Sequence, residues 1–592
     1  MTERSLSYAV SVSPERHLVN VTLTVKGPLP EPLVVAMPVW TPGSYLVREY
    51  SRHIEGIKAR SAKGPCGIRK VSKESWAVAH GGSNEVVVEY SLYAHELTVR
   101  TNHVSDTHGY WNGASTYVRP VEQGVAWDAL PIDVTITPPR PEWEIATALT
   151  PVRHSGDKGG ARNYRAASFD DLVDCPVEMG VHEALEFKVR DKPHQIVVWG
   201  TPARFDRNKL IRDVSTIIAT EADLFGGLPY DHYLFLLHLA SGGRGGLEHR
   251  TSCSLLASPD TFDTTDGYDD LLSLFAHEFF HLWQVKRTRP NGIHPYDYAR
   301  ENYTRMLWLF EGGTSYYDWL VLRKSGLVDA KQYLKHLGSE IARLEDTPGR
   351  HAQSLEDASF DAWIKLYRPD EHSVNSTVSY YLKGEIVCAL LDLEIRHRSK
   401  GTKSFDDVMK HLWTDYGAHE KPVPEGSIES VIAAATGIDV ADAIDAMVRS
   451  TAPLPYERGL ALAGLQLRPR AGRGASLGVR LRNESGRPVL AAVLRGSAAE
   501  AGGLAPGDEI MGLDGRRVDD GSFRDRLRHR KPGDSIELLY ARRELIRSTK
   551  VTLAEPPPEA MEIVPLADAS SDARTIGEAW LGGGSSALWN SK

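Results

Sequence analysis

The sequence predicts a multidomain α+β protein, and three observations support this prediction. At 592 residues the chain is too long for one hydrophobic core. Its first third is rich in short Val- and Thr-containing strands, whereas a later stretch repeats apolar residues at helical spacing. A compact β module then precedes a Ser- and Gly-rich end. The predicted parts are a β-sheet or sandwich domain (1–185), a mixed α/β domain (186–330), an α-helical domain (331–462), a β module (463–556) and a Pro-rich linker with a tail (557–592).

Composition argues against several classes of protein. A net charge of −9 without a polybasic tract is not typical of a nucleic-acid surface. No run of 18 apolar residues occurs, so no membrane span is predicted. The four cysteines show no Cys-x-x-Cys pair, which favours free thiols in a reducing compartment. Because the start also lacks a signal-peptide pattern, a cytoplasmic location is predicted, with a previously removed leader as the open alternative.

The N-terminal β domain contains two unusual stretches. Residues 37–45 read Met-Pro-Val-Trp-Thr-Pro-Gly-Ser-Tyr, and residues 101–110 place His103 and His108 on a presumed loop. Two histidines five residues apart could ligate a second metal ion. The other interpretation, loop histidines that hydrogen-bond to the backbone, is the favoured one.

A glycine-rich turn separates two strand-like runs of the mixed α/β domain. The runs are 231–240 and 250–258, and Ser-Gly-Gly-Arg-Gly-Gly-Leu-Glu-His lies between them. Glycine lets the backbone approach a ligand closely, and no Gly-Lys-Ser/Thr follows to make this a phosphate loop. Glu248 in this turn could bind a cation, but on this stretch alone a solvated carboxylate is favoured.

The strongest motif is His277-Glu278-x-x-His281. Residues four apart on a helix share a face, so two imidazoles can reach one metal ion beside the glutamate. This arrangement suits zinc with one open coordination position, and Glu278 would be the general base. Core histidines with ordinary hydrogen bonds are the alternative, which becomes less favoured once a third ligand is counted.

Apolar periodicity predicts that the helix carrying this motif runs from Leu271 to Lys286. Asp269 or Asp270 can cap its start. Lys286 would complement the helix dipole at its end. Pro290 then stops the helix.

Two further segments could complete a metal site. Glu311 follows the apolar residues 306–310, and a buried carboxylate needs a partner, either zinc or an ion pair. Tyr380 and Tyr381 open a long predicted helix. A tyrosine there could donate a hydrogen bond to an oxyanion, although a structural tyrosine is favoured from these residues alone.

The C-terminal region has its own features. Residues 476–479, Ser-Leu-Gly-Val, precede a strand of the β module, and a Pro-rich linker follows the module at 555–559. The last thirty residues contain Trp580 and Trp589. They form either a flexible tail or a strap whose tryptophans dock on the body.

Taken together, these stretches resemble the glycyl aminopeptidase family, zinc metallopeptidases that carry a PDZ domain. The resemblance covers nearly the whole chain. It rests on W-T-P-G-S-Y, T-N-H-V-x-D-T-H-G-Y, H-E-F-F-H-L-W-x-V-K-R, W-x-x-E-G-x-T-x-Y-Y and S-Y-Y-x-K-G. It implies that residues 186–330 form a thermolysin-like zincin catalytic domain of the gluzincin clan, distantly related to aminopeptidase N. It also implies that residues 463–556 form a PDZ domain.

The resemblance assigns roles to individual residues. His277, His281 and Glu311 match the zinc ligands, and Glu278 matches the general base. The spacing from His281 to Glu311 is thirty residues where the clan has nineteen, and a longer loop makes up the difference. Tyr381 matches the tyrosine that stabilises the tetrahedral intermediate.

Two more segments acquire a role by resemblance. The Gly-Gly-Leu-Glu segment lies where aminopeptidase N has its exopeptidase strand, so Glu248 is now predicted to bind the substrate's α-amine. The Ser-Leu-Gly-Val segment resembles the carboxylate-binding loop of a PDZ domain, whose groove accepts a peptide as an added strand. The predicted substrate-binding residues are Gly245, Gly246 and Glu248, and the predicted carboxylate loop is Ser476, Leu477, Gly478 and Val479.

The sequence therefore predicts an aminopeptidase with one zinc ion that removes small first residues, glycine or alanine, from peptides. Two alternatives stay open: a PDZ-bearing endopeptidase of protein quality control, and a non-catalytic peptide-binding scaffold with a structural zinc. Predicted partners are peptides with a free N-terminus and a peptide ligand or self-segment in the PDZ groove. No nucleic-acid partner is expected.

Overall fold

The computed structural model describes residues 3–152 and 160–590, which form two compact units. The first unit contains the described residues of 1–303 with 415–422, and the second contains those of 304–414 with 423–592. The stretch 153–159 of the predicted N-terminal domain and the last two residues of the predicted tail lie outside the described residues. No helix in the described ranges is long and apolar enough to cross a membrane. The domain boundaries drawn from the sequence stay predictions.

The first unit begins with β structure, as the alternating pattern predicts. In the strand Ser5–Ser13, Leu6, Tyr8, Val10 and Val12 are buried and join one large core. In the part of the chain that the structure describes, eleven strands form one sheet and four form a second. The large sheet has the order Arg119–Pro120, Leu33–Ala36, Ser75–Ala79, Gly64–Lys70, Ile54–Ser61, Glu85–Tyr93, Leu18–Lys26, Ser5–Ser13, Ile132–Thr137, Arg162–Ala166 and Thr150–Pro151, and the small sheet has the order Glu144–Thr147, Val177–Gly180, His108–Trp111 and His103–Val104.

A third sheet of the first unit carries the glycine-rich turn. Its strands Lys192–Gly200, Tyr233–Leu239 and Ser252–Ala257 are parallel, and the last two are fully buried, which explains their apolar runs. The turn differs from the prediction, because Gly245–Glu248 is itself a strand, antiparallel to Ser252–Ala257 at one end of the sheet. We call Gly245–Glu248 the edge strand. The sheet order is Glu183–Val189, Lys192–Gly200, Tyr233–Leu239, Ser252–Ala257 and Gly245–Glu248, and the helices of this unit are Phe169–Val173, Arg207–Phe225 and Thr265–Phe280.

The second unit is mainly helical between residues 304 and 462. Its central helix, Tyr380–Arg398, is buried along almost its whole length and packs against Gly312–Lys324 and Ala330–Glu345. Asp329 and Gln332 form a capping box at the start of Ala330–Glu345. The other helices in this stretch are Leu307–Phe310, Leu355–Phe360, Ser373–Ser376, Phe405–Asp415, Ile428–Thr436, Ala441–Ile444 and Tyr456–Ala461.

A pair of strands closes the base of the β module that the sequence predicts as a PDZ domain. Leu465–Arg470 and Ala560–Pro565 are antiparallel, with Arg470 opposite Ala560. The chain between them forms a module whose core includes Leu490, Ile510 and Phe523. The module contains the strands Val479–Glu484, Arg487–Val493, Glu509–Leu513, Arg516–Arg517, Ser535–Arg542 and Leu545–Thr552 and the helices Ala498–Ala501 and Asp520–Arg528.

The C-terminal segment, as far as Asn590, docks on the second unit. The helix Ser571–Leu581 buries Trp580 completely, and the Trp580 indole donates a hydrogen bond to the Tyr316 hydroxyl at 2.9 Å. The indole of Trp589 donates to the Gly464 carbonyl at 2.9 Å. Of the two alternatives that the sequence left open, a flexible tail and a docked strap, the structure has the docked strap.

Candidate active site

The His-Glu-x-x-His motif lies on the helix Thr265–Phe280, which we call the motif helix. Its N-cap is Thr264, whose hydroxyl accepts a hydrogen bond from the Gly267 N–H at 3.1 Å. The prediction of Asp269 or Asp270 as the cap was wrong. The prediction began the helix at its first apolar residue, Leu271, and looked for a cap directly before it. The helix instead begins at Thr265, because threonine also caps well.

The motif histidines lie at the C-terminal end of this helix. His277 is in the last turn, and His281 is the C-cap residue. Their rings are nearly perpendicular, at 85°, with centroids 4.7 Å apart. The Nδ1 of His281 lies 2.7 Å from the Gln284 carbonyl oxygen. Because that oxygen can only accept, Nδ1 carries the proton, so the lone pair of the neutral imidazole lies on Nε2, which is the tautomer of a metal-ligating histidine.

Glu278 lies against the edge strand. A Cβ built on Gly246 would be 2.0 Å from the Glu278 Oε1, so only glycine fits at that position. Arg100 contacts the edge strand at the same residue, because its Nη2 donates a hydrogen bond to the Gly246 carbonyl at 3.2 Å. Sequence reasoning missed Arg100, since a single arginine far away in the chain gives no signal.

The carboxylate of Glu248 lies against Gly43 of the W-T-P-G-S-Y stretch. Gly43 has φ of 85°, and a Cβ there would be 2.4 Å from the Glu248 Oε2. Glu248 is 3% exposed, so it is not a solvated loop carboxylate. Its Oε1 is buried without a hydrogen-bond partner among the described residues. An unsatisfied buried carboxylate oxygen is unfavourable, which makes this position a site for a positively charged donor.

Three of the predicted site residues come together in the first unit. Glu248, Glu278 and His281 each offer a ligand atom within 4.8 Å of the other two. All three are buried. Two carboxylates beside an imidazole, away from water, attract a metal ion, an ammonium group or both.

A buried ion pair supports the residues that follow Glu248. The Lys286 ammonium lies 2.6 Å from the Asp174 carboxylate, which also accepts a hydrogen bond from the Arg250 N–H at 2.7 Å. Burial would raise the pKa of Asp174, but Lys286 and His249 outweigh it and hold the pKa well below its usual value. Lys286 therefore does not complement a helix dipole as predicted, because the motif helix already ends at Phe280.

In the second unit, Glu311 lies at the junction of two helices. Leu307–Phe310 ends directly before it and Gly312–Lys324 begins directly after it. Its side chain is 2% exposed. A carboxylate buried to this extent requires positive charge or several donors.

Tyr381 lies in the first turn of the helix Tyr380–Arg398. Its hydroxyl is 3.0 Å from that of Tyr367. Desolvation raises the pKa of Tyr381, and the neighbouring Glu311 carboxylate raises it further. The hydroxyl therefore stays protonated at neutral pH and can donate a hydrogen bond to a developing negative charge.

Two glycines allow the helix that begins directly after Glu311 to touch the helix that carries Tyr381. A Cβ on Gly312 would be 2.6 Å from the Gly384 Cα, and a Cβ on Gly384 would be 2.9 Å from the Gly312 Cα. The contact explains why glycine follows Glu311 in one motif and Lys383 in the other.

Lys383 is a second residue that sequence reasoning missed. It is 1% exposed, and its ammonium group has no hydrogen-bond partner among the described residues. Burial, assisted by Arg350, lowers its pKa to about 8. A lysine in the first turn of a helix looks solvent-exposed in sequence, so only the packing shows that it is buried.

The predicted carboxylate loop is a tight turn at the start of the β module. Gly478 has φ of 72°, and a Cβ there would be 2.3 Å from the Ser497 Cβ. The Gly478 N–H donates to the Ser476 hydroxyl at 3.1 Å, and Leu477 is buried in the module's core. Val479 begins the strand that follows.

Three family models and a solved structure match the chain in agreement with this architecture. The family model of the M61 glycyl aminopeptidase matches residues 270–387, that of the Peptidase M61 N-terminal domain matches residues 7–181, and that of a PDZ domain matches residues 475–553. The crystal structure of an aminopeptidase N family protein from Idiomarina loihiensis has a TM-score of 0.90 and 29% sequence identity, over 98% of this chain and 100% of that one. An M1 zinc metallopeptidase from Deinococcus radiodurans has a TM-score of 0.48 and 14% identity, over 77% and 95% of the two chains. No curated protein matches the sequence.

The fold, the family matches and the motif helix define the protein as a zinc metallopeptidase with an N-terminal β-rich domain and a C-terminal PDZ domain. The chain belongs to the M61 glycyl aminopeptidase family.

Proposed function

We propose that this peptidase is an aminopeptidase that removes small N-terminal residues, glycine or alanine, from peptides. The observation that carries the proposal is the unsatisfied Oε1 of Glu248, buried beside Glu278 and His281. A free α-ammonium group supplies both the charge and the donors that this oxygen lacks. An endopeptidase would bind an uncharged amide of its substrate next to Glu248, and that amide would not neutralise the buried carboxylate.

A single zinc ion would be held at the catalytic site by His277, His281 and Glu311. The donor set of two imidazoles and one carboxylate is that of catalytic zinc, and the His281 tautomer fits it. When bound, zinc supplies Lewis-acid polarisation of the scissile carbonyl and of the attacking water.

The remaining chemistry belongs to the side chains. Glu278 takes the proton of the attacking water and delivers it to the leaving amine. Tyr381 donates a hydrogen bond to the oxyanion of the tetrahedral intermediate. Glu248 binds the α-ammonium group and so fixes the distance from the chain end to the bond that is cut.

The turn around Gly43 supports the proposed limit to small first residues. Thr41 and Ser44 are buried and bridge each other, and the Trp40 indole donates to the Asp297 carbonyl at 2.8 Å. The turn is therefore held in place while its backbone touches the carboxylate of Glu248. A first residue whose ammonium group binds Glu248 would have this turn close to its Cα, which leaves little room for a long side chain.

The PDZ domain would bind a peptide, either a ligand or a segment of this protein, at the loop from Ser476 to Val479. A cytoplasmic location is favoured because the four cysteines are free thiols.

The decisive experiment compares glycyl-p-nitroanilide with its N-acetylated form, with and without a metal chelator. We expect hydrolysis of the free-amine substrate only, and its loss after chelation. Glu248→Gln should raise the KM for glycyl-p-nitroanilide at least tenfold, and Glu278→Gln should abolish turnover while zinc stays bound. Equal cleavage of the N-acetylated compound would identify an endopeptidase, and chelator-insensitive hydrolysis would exclude the zinc mechanism.

A further inference from the structure

A second group of metal-type ligands lies in the first unit and shares no residue with the candidate active site. His108, Glu178 and His238 are 0%, 0% and 1% exposed. Each offers a ligand atom within 4.8 Å of the other two. They lie on three different strands, two in the four-stranded sheet and one in the five-stranded sheet. The fold, rather than a local sequence motif, assembles this cluster.

The distances within the cluster are those of close ligands. The His108 Nδ1 lies 3.0 Å from the Glu178 Oε1, and the His238 Nε2 lies 3.0 Å from the Glu178 Oε2. Two ligands of a tetrahedral zinc ion are separated by roughly 3.3 Å, given zinc–ligand distances of about 2.0–2.1 Å. The preferred sequence interpretation, loop histidines bonded to the backbone, was wrong. His103 and His108 lie on strands, and the two rings are joined by a 2.7 Å hydrogen bond between Nδ1 of His103 and Nε2 of His108.

Glu178 brings a negative charge into the cluster. Its side chain is fully buried, and both of its carboxylate oxygens lie 3.0 Å from an imidazole nitrogen. A carboxylate taken out of water costs several kcal/mol unless positive charge accompanies it. A divalent ion bound between the three side chains would supply that charge.

Neighbouring residues fix the ligands in place. The Trp199 ring stacks on His108 with centroids 3.3 Å apart and planes 4° from parallel, and Tyr110 meets the His238 ring edge-on at 4.7 Å. Gly180 lies opposite His108 on the paired strand, where any Cβ would come within 2.7 Å of it. Side chains oriented in advance lose little freedom when an ion binds.

We propose that His108, Glu178 and His238 bind a second divalent metal ion, zinc by their donor set, which holds the four-stranded sheet to the five-stranded sheet. The set of two imidazoles and one carboxylate is a common zinc set. The proposed site is structural, because it contains neither Glu278, the proposed general base, nor Glu248, the proposed ligand of the substrate's amine.

Metal counting tests the proposal on the full chain. Zinc-saturated, desalted wild-type protein should hold two zinc equivalents, and the variant His277→Ala, which alters only the catalytic site, should hold one. Glu178→Gln should also hold one, and its thermal unfolding should no longer depend on the second equivalent. Glutamine keeps the shape and can still bond both imidazoles, so a cluster held only by hydrogen bonds would show the same metal content and stability in this variant.

A matched control separates metal binding from the loss of any buried histidine. His194 is 3% exposed in the same unit and bonds to Tyr230 at 2.7 Å, outside the cluster. His194→Ala should keep two equivalents.

One zinc equivalent in the wild type, or two in Glu178→Gln, would overturn the proposal. If Glu178→Gln does not fold, the zinc content of His277→Ala decides. One equivalent in that variant supports the second site, and no bound zinc overturns it. Two equivalents in His277→Ala would instead count against the catalytic ligand set.

Discussion

At the scale of single residues, the candidate site is shaped by glycines that lie against carboxylates. Gly43 faces Glu248, and Gly246 faces Glu278. In each case the carboxylate occupies the space where the β-carbon of a larger residue would lie, so the glycine lets the backbone and the carboxylate come into contact. The glutamates were recognisable in the sequence because their motifs are local. Their glycine partners were not, because Gly43 and Glu248 are brought together only by the fold.

Gly43→Ala should therefore impair binding of the substrate's amine. The added methyl group would displace the Glu248 carboxylate, and we expect the KM for glycyl-p-nitroanilide to rise at least tenfold with a smaller change in kcat. Gly56→Ala is the matched control, because Gly56 has φ of 60° and no neighbour within 4 Å of its Cβ position. Both variants strain a left-handed backbone, so equal effects on KM would show that strain, and not the contact with Glu248, is responsible.

Lys383 should make the stability of the protein depend on pH. Its pKa is about 8 in the folded protein against a usual value of 10.5, so the unfolded chain binds more protons between these two pH values. The free energy of unfolding should then rise as pH increases from 8 to 10.5, by up to about 3 kcal/mol from this group.

Lys383→Met should remove that rise and stabilise the protein at pH 7.5, measured by urea unfolding at pH 7.5 and 10. Lys410→Met, at an exposed position, is the control and should leave the pH dependence unchanged. An unaltered pH dependence in Lys383→Met would show that the buried ammonium group is compensated in the folded protein.

At the scale of secondary-structure elements, the close crossing of two helices fixes Glu311 relative to Tyr381. Gly384→Ala should force the helix Tyr380–Arg398 away from Gly312–Lys324, because the nearest atoms of Gly312 and Trp308 are backbone. We expect a loss of at least about 2 kcal/mol in the free energy of unfolding, with a fall in kcat.

Gly583→Ala provides the comparison, since Gly583 has an ordinary φ and open space around its Cβ position. That variant should be neutral or slightly stabilising. Both proteins can be compared by urea unfolding and by hydrolysis of glycyl-p-nitroanilide. A neutral Gly384→Ala would mean that the two helices can separate without penalty.

Elements were predicted well where a periodic pattern was long, and poorly at their ends. Apolar spacing located the motif helix, but Thr264 begins it and Phe280 ends it. The edge strand was taken for a turn because four residues with two glycines carry no β signature. Lys286, Glu178 and His238 could not be placed, since their partners come from other elements and only tertiary packing brings them together.

At the scale of the whole molecule, the PDZ domain is an insertion between two paired strands. Arg470 and Ala560 are opposite each other in the strand pair Leu465–Arg470 and Ala560–Pro565. The chain then continues into the helix Ser571–Leu581, whose Trp580 is buried against Tyr316. The body of the second unit is thus completed by segments on both sides of the PDZ domain.

This topology predicts that the PDZ domain can be removed while the end of the chain cannot. A variant in which a turn of about two to four residues replaces residues 471–559 should form an ordinary hairpin from the strand pair. It loses two hydrogen bonds of Asn375, one from its amide to the Val493 carbonyl and one from the Arg495 N–H to its Oδ1, both at 2.8 Å. It also loses the ion pair of Arg480 with Asp346, and each of these contacts is worth about 1 kcal/mol or less. We expect a melting temperature within a few degrees of wild type and hydrolysis of glycyl-p-nitroanilide within about twofold.

The matched variant ends the chain at Arg470. It lacks the partner strand and Trp580 as well as the PDZ domain, so it leaves a hydrophobic site on the second unit uncovered. Loss of a fully buried tryptophan alone costs about 3–5 kcal/mol, and we expect this variant to unfold at a much lower temperature or to aggregate. If the first variant folds but no longer hydrolyses the substrate, the PDZ domain contributes to catalysis itself. If the second is as stable as the first, the C-terminal strap is dispensable.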